Sequence, residues 1–400
     1  MKIKSNIVLL LSLVVGACTT RQESASETLV VNRLDSPAGP ESSVPYLFTD
    51  NDSVVYFSWV EKKSDTATMK YAKLENEKWL DATTIATGNT WFVNWADYPM
   101  MSRNGETLLA HYLDRSSDGR FTYNVRYVMA TDGVWSAPKT LHDDGKAAEH
   151  GFVTMLPYEN NFFVSWLDGR NAAMEGMEGS DHSGHHGSMT VRAAVVDPLG
   201  NKINEWELDN KTCDCCQTTA AITDNGPVVV YRDRSDAEIR DMSIVRFVDG
   251  NWTEPKPIHN DNWKIEGCPV NGPRMEAIGN TVAIAWFTAA NSAPRVNVVF
   301  SNDGGACFST PVQIDEGDPI GRVDLVLLDD QTAVVSWMEG ADIRARKVHN
   351  NGTKENSITI ATSSNARSSG FPQMTKAGNR LVFAWTDDQE KRIKVASIKL

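Results

Sequence analysis

FFVSWLDGR, residues 162–170, is a short apolar run that ends in a tryptophan and is followed by an acid, a glycine and a base. The run is too short for a stable helix and rich in aromatic and β-branched side chains, and it stops at a turn residue, so it reads as a buried strand. Its counterparts recur along the chain: VVYFSWVE at Trp59, LLAHYLDR at Tyr112, PVVVYRDR at Tyr231, VAIAWFTA at Trp286, AVVSWMEG at Trp337 and LVFAWTDD at Trp385. The aromatics repeat at intervals of about 50 to 65 residues, the spacing of propeller blades.

Each unit opens with another short strand before a turn, as in VPYLFTDND and FPQMTKAGN, and continues with a third, as in TMKYAKL and IKVASIK. Turn residues and often an aromatic then begin a fourth, as in NEKWLDATTI and DGNWTEPKPI. Short strands, regular turns and no long amphipathic stretch predict an all-β fold, a β-propeller of four-stranded blades. Seven blades are expected, six if one unit is not independent. The last unit lacks a fourth strand, and TLVVNRL, residues 28–34, is placed to supply it and close the ring.

The amino terminus reads as a targeting segment. Lys2 and Lys4 precede an apolar run through Val15, and Gly16-Ala17-Cys18 follows. This is the pattern of a secretory signal, and the run is too short to span a bilayer. It resembles the bacterial lipobox, which implies a signal peptide over residues 1–17, a lipidated Cys18 with a polar tether to residue 27, and a propeller domain over residues 28–400. Thr19 after the cysteine favours the outer membrane, by analogy with lipoprotein sorting. The expected location is therefore an outer-membrane lipoprotein, held to the membrane by its lipid alone. A net charge of -13 repels phosphate backbones, so nucleic acid is not an expected partner.

Ser301-Asn302-Asp303-Gly304-Gly305-Ala306-Cys307-Phe308 resembles the Asp-box turn of the sialidase (neuraminidase) superfamily, with Phe308 in the place of its tryptophan. In that turn the aspartate accepts backbone N–H groups, the glycines take positive φ and the aromatic plugs the blade, so Asp303 is structural. The segments YRDRSDAEIRD, GCPVNGP, WFTAAN and SGFP extend the resemblance to bacterial exo-alpha-sialidase-like propellers. It implies an exo-glycosidase acting on a terminal anionic glycan, sialic-acid-like or uronate, with an arginine clamp, a Tyr/Glu pair and an Asp acid/base. The position of the family's first clamp arginine reads Ser43-Val44-Pro45-Tyr46 and holds none.

In a four-stranded blade the loop entering the first strand and the loop leaving the second share one face. That face is expected to gather Arg115, Arg170, Arg232, Arg234 and Arg322 with Asp97, Asp233, Glu149 and His150. Guanidinium groups there suit a carboxylate or sulfate, and Trp91, Trp95 and Trp263 offer flat surfaces for a sugar. Under the resemblance, Arg232, Arg234 and Arg322 hold the substrate carboxylate, and Asp97 or Asp233 is the acid/base; a lyase using arginine and His150 is a variant. Ion pairing of the same arginines between blades is the competing structural reading.

KTCDCCQTTA, residues 211–220, crowds Cys213, Cys215 and Cys216 into the loop entering the fourth blade, and Cys268 lies in the next entering loop. An inter-loop disulfide is one expectation in an oxidising compartment, and a zinc or copper site is the other. Cys307 is expected to be a free, buried thiol. The glycine-rich loop MEGMEGSDHSGHHGSM carries Met174, Met177, His182, His185, His186 and Met189, thioether and imidazole ligands that suit copper unless the loop is only a surface insertion. Two non-enzymatic readings follow: an envelope protein that binds copper or zinc, and a propeller that docks a protein partner.

Overall fold

The computed structural model describes residues 30–51, 53–119, 121–172 and 187–400. They form seven antiparallel sheets, one per sequence unit. The innermost strands, Ser42–Thr49, Met101–Asn104, His150–Tyr158, Thr219–Thr223, Arg274–Ile278, Pro319–Leu327 and Gln373–Ala377, each pair with the second strand of their blade. Val31–Leu34 pairs antiparallel with Arg392–Lys399, Val31 opposite Ile398 and Leu34 opposite Val395. The amino-terminal strand therefore completes the last blade, and the ring has seven blades. Among the described residues no helix is long and apolar enough to cross a membrane. Cys18 and the targeting segment lie outside the described residues, as do Met174, Met177, His182, His185 and His186.

The repeated aromatic lies on the second strand of every blade and is buried in all seven. Burial of an indole requires a partner for its N–H. The acid two residues downstream supplies it: Trp59 Nε1 donates to Glu61 at 2.9 Å, Trp166 to Asp168 at 2.8 Å and Trp337 to Glu339 at 2.6 Å. The aromatic-then-acid signature is thus a packing device.

The turn at residues 301–308 has the expected geometry. Asp303 Oδ1 accepts the Cys307 N–H at 2.9 Å, Ser301 Oγ accepts the Gly305 N–H at 2.9 Å, and Gly304 and Gly305 have φ of 67° and 81°. Phe308 packs inward between blades. Cys307 is free but exposed, contrary to the expectation of burial, because its neighbour Phe308 is the residue that turns inward.

Three innermost strands are bulged where they enter the fold: register shifts fall between Ser43 and Tyr46, Gly151 and Thr154, and Gly321 and Asp324. Val44, Phe152 and Arg322 at these bulges have φ of 50°, 53° and 54°. That conformation is costly for non-glycine residues, above all for β-branched valine. Side chains from neighbouring blades hold two of the three: Asp97 Oδ1 accepts the Phe152 N–H at 2.8 Å, and Asn271 Oδ1 accepts the Arg322 N–H at 2.7 Å.

Candidate functional site at the loop-rich face

Tyr123 and Glu149 meet where the third strand of the second blade runs beside the loop entering the third. The two residues are paired by an isolated bridge, and the Tyr123 hydroxyl donates to Glu149 Oε1 at 2.5 Å. Burial pushes the Glu149 carboxyl up to about 8; the tyrosine bond pulls the other way, but Asp97, Asp214 and Cys268 add negative charge nearby. Asp97 is raised to about 7, again by burial. Its Oδ2 has no hydrogen-bond partner and abuts Gly151, where an added Cβ would come within 2.1 Å of it. Glu149 remains half-buried whereas Asp97 is fully enclosed.

A second polar group lines the axis. Arg274 on the fifth innermost strand faces Asp324 on the sixth at 3.3 Å and donates to Gln373 Oε1 on the seventh at 2.7 Å. Its guanidinium lies over the Tyr98 ring. Tyr98 is raised by burial with Asp97 and Asp324 both nearby, so this group adjoins the first. Glu276 accepts the Leu327 N–H at 2.6 Å and is raised to about 7 by burial. None of these axial residues was marked by the sequence, because innermost strands show no motif beyond their apolar alternation.

Most of the predicted arginines are committed elsewhere. Arg232 is fully buried and donates to the carbonyls of Arg240, Asn271 and Phe287 at 2.7 to 3.1 Å. Arg322 is buried and bonds Ser369 Oγ and the carbonyls of Asn365, Ala366 and Gly370. Both clamp loops together through these carbonyls. Arg234 is paired with Asp214 and Glu238, and Arg170 with Asp144, Asp168 and Glu205. Arg115 is exposed and stacks on Phe92.

Trp95 is half-buried, stacked on Phe371 with Arg322 and Arg367 over its ring. Trp91 is partly buried with one ring face stacked on Tyr112, and Trp263 is buried beneath Arg232. Asp233 accepts from Ser243 Oγ and the Arg234 N–H, and burial and then Asp209 raise it.

His150 is wholly buried rather than poised at a mouth. Its ring stacks on His142 with centroids 3.4 Å apart, and its Nε2 lies 2.8 Å from Asp144 Oδ2 and 3.6 Å from Asp168 Oδ1. Burial, and then His150, lowers His142 to about 4.

The cysteines do converge. Cys213 Sγ lies 3.1 Å from Cys216 Sγ and 4.0 Å from Cys215 Sγ, while Cys268 is exposed on the adjacent loop, outside this triad. All the described cysteines are free thiols in this structure. Met189, the described end of the methionine and histidine insertion, is buried and pairs in register with Thr212, next to Cys213.

No protein-family profile and no curated protein matches the chain. Solved structures do. Polysaccharide lyase Uly1 matches at 10% identity and a TM-score of 0.53, covering 95% of this chain and 94% of its own. The alpha-L-arabinanase of Penicillium chrysogenum matches at 11% identity and a TM-score of 0.51, covering 93% and 98%. A puromycin-hydrolysing peptidase of Mycobacterium tuberculosis matches at 12% identity and a TM-score of 0.50, covering 92% of this chain but only 56% of its own. Sialidases also match, at TM-scores below 0.5. At these identities the likeness is one of fold, which hosts more than one chemistry. The seven-bladed β-propeller expected from the repeated strand motifs is the architecture the chain adopts.

Proposed function

We propose that the chain binds and processes a carbohydrate at the loop-rich mouth, with Glu149 as the group that transfers the proton. The observation that carries this reading is the half-buried Glu149 carboxyl, held by Tyr123 beside the enclosed Asp97 on a rim of strained bulges. Glycosidic cleavage needs a carboxylic acid that keeps its proton near neutrality and releases it to a leaving oxygen. Burial gives Glu149 that property, and the Tyr123 hydroxyl fixes its orientation. Asp97 keeps a second carboxyl close and fixes the strained Phe152 backbone, acting as a positioning residue. Strain stored on one rim fits a site whose geometry is over-determined. The fold neighbours support a carbohydrate, since the lyase and the arabinanase are named for glycan chemistry.

The finer expectation, a terminal anionic glycan, now leans on exposed Arg115 and on Arg234, whose carboxylate partners a substrate would displace. Turnover assays with sialosides, uronate-terminated glycans and neutral arabinans test both levels. Release of reducing or unsaturated sugar from any of them supports a carbohydrate enzyme, and selectivity for the charged members supports the finer reading. No release and no binding across the panel would overturn both. Membrane anchoring through Cys18 belongs to the same proposal, tested by whether Cys18→Ala abolishes lipid labelling and membrane association.

A further inference from the structure

We infer that Cys213, Cys215 and Cys216, with Cys268 as a fourth donor, form a thiolate site for a soft d10 metal ion, copper(I) or zinc. Three sulfur atoms from one loop lie within 4.8 Å of one another. Thiolates about 2.3 Å from a shared ion stand about 3.8 Å apart in trigonal or tetrahedral arrangements. The observed separations, 3.1 and 4.0 Å, bracket that value, and the shorter is well beyond the roughly 2 Å of a disulfide bond. Cys268, an exposed thiol on the loop entering the next blade, lies outside this close triad and would have to move in to complete a four-thiolate site.

The surroundings are built for concentrated negative charge. Arg240 is buried and points Nη1 at Cys213 Sγ at 3.4 Å, while Glu238 holds its other terminal nitrogen at 2.9 Å. The Cys213 N–H donates to the Arg232 carbonyl at 3.0 Å. Gln217 donates to the Ala96 carbonyl at 2.6 Å and accepts the Gly272 N–H at 2.9 Å, pinning the loop to both neighbouring segments. Ligands held this way pay little ordering cost on binding. Metal entry exchanges one proton for each thiol that becomes a ligand, with no change of sulfur oxidation state. Copper(I) needs two or three of the sulfurs, and zinc all four.

The test is metal loading of the full chain, reduced and kept anaerobic, with copper(I) or zinc supplied against a competing chelator. The expected result is one tightly held ion per chain, with a thiolate-to-metal charge-transfer band. Both should be lost in Cys213→Ser. Because Cys213 is buried and its replacement can unfold the loop, Cys215→Ser and Cys268→Ser, at more accessible positions, are measured beside it with melting curves. Loss on Cys215→Ser alone with Cys268→Ser silent assigns three-coordinate copper(I), and loss on both assigns the four-thiolate zinc site. A combined His182→Ala, His185→Ala and His186→Ala variant should keep the ion and its band. Failure of the reduced protein to bind either metal, or uptake unchanged in folded cysteine variants, would overturn the inference. None of these readouts involves sugar turnover, so they stand or fall apart from the proposed enzyme.

Discussion

Replacing Asp97 by asparagine should change how the fold's stability depends on pH. The side chain is 2% exposed, keeps one hydrogen bond and leaves Oδ2 without a partner, so burial lifts its pKa from an ordinary 3.8 to about 7. Between those values the folded chain holds a proton that the unfolded chain has released. Stability therefore falls as pH rises: the favourable contribution is complete below about pH 4 and gone above about pH 7. Proton affinities differing by about three orders of magnitude correspond to about 4 kcal/mol across that window. Asparagine can still accept the Phe152 N–H but carries no charge at any pH. Denaturant unfolding of both proteins from about pH 5 to pH 8.5 is the assay. Glu276 shifts alike in both proteins, whereas Glu149, which the Asp97 charge helps to raise, is shifted less in the variant, so the difference between the two curves reports Asp97 together with its coupling to Glu149. Over this range the variant should lose about 2 to 3 kcal/mol less stability than the parent, since part of the window lies below about pH 5. Parallel curves would refute the view that Asp97 is an enclosed, proton-holding carboxyl.

Arg232→Met should cost about 3 kcal/mol or more, because three carbonyls lose their buried donor, and the melting temperature should drop; a variant with unchanged melting but weakened ligand binding would return Arg232 to a substrate clamp. Gly272→Ala places a Cβ 2.3 Å from the Gln217 carbonyl oxygen and should cost about 1 to 3 kcal/mol in a thermal melt, with wild-type stability contradicting the close approach of these loops. Deleting the chain through Leu34 leaves Arg392–Lys399 as an open edge, so the melt should broaden and fall and the protein should aggregate; an unchanged melt would deny that strand its closing role.

The fold was legible because its signal is repeated and local. Seven aromatic strand motifs and the glycines of the Asp-box turn each carry their own reason for being where they are, and the closing strand follows from a missing fourth partner. The site was legible only in part. Gathering of the cysteines on one face followed from propeller topology alone, whereas the fate of the arginines did not. Arg232 and Arg322 find backbone carbonyls that come together only when loops from different blades pack, and no local pattern announces a carbonyl. His150 was read as a mouth residue because its loop lies there, but its ring turns inward onto His142, eight residues upstream and in no recognisable motif with it. Arg274, Asp324 and Gln373 sit on three different innermost strands, and only ring closure makes them neighbours.

The central claim is that Glu149 is the proton-transferring carboxyl of a carbohydrate enzyme. Its most direct test is the pH dependence of glycan cleavage by the parent and by Glu149→Gln, on whichever member of the glycan panel turns over. An acid that must be protonated, with a pKa raised to about 8, predicts that parent activity falls as pH rises through that value. The glutamine variant should be nearly inactive at every pH while melting like the parent. Retained activity in Glu149→Gln, or a parent profile that rises through the same pH range, would contradict the account.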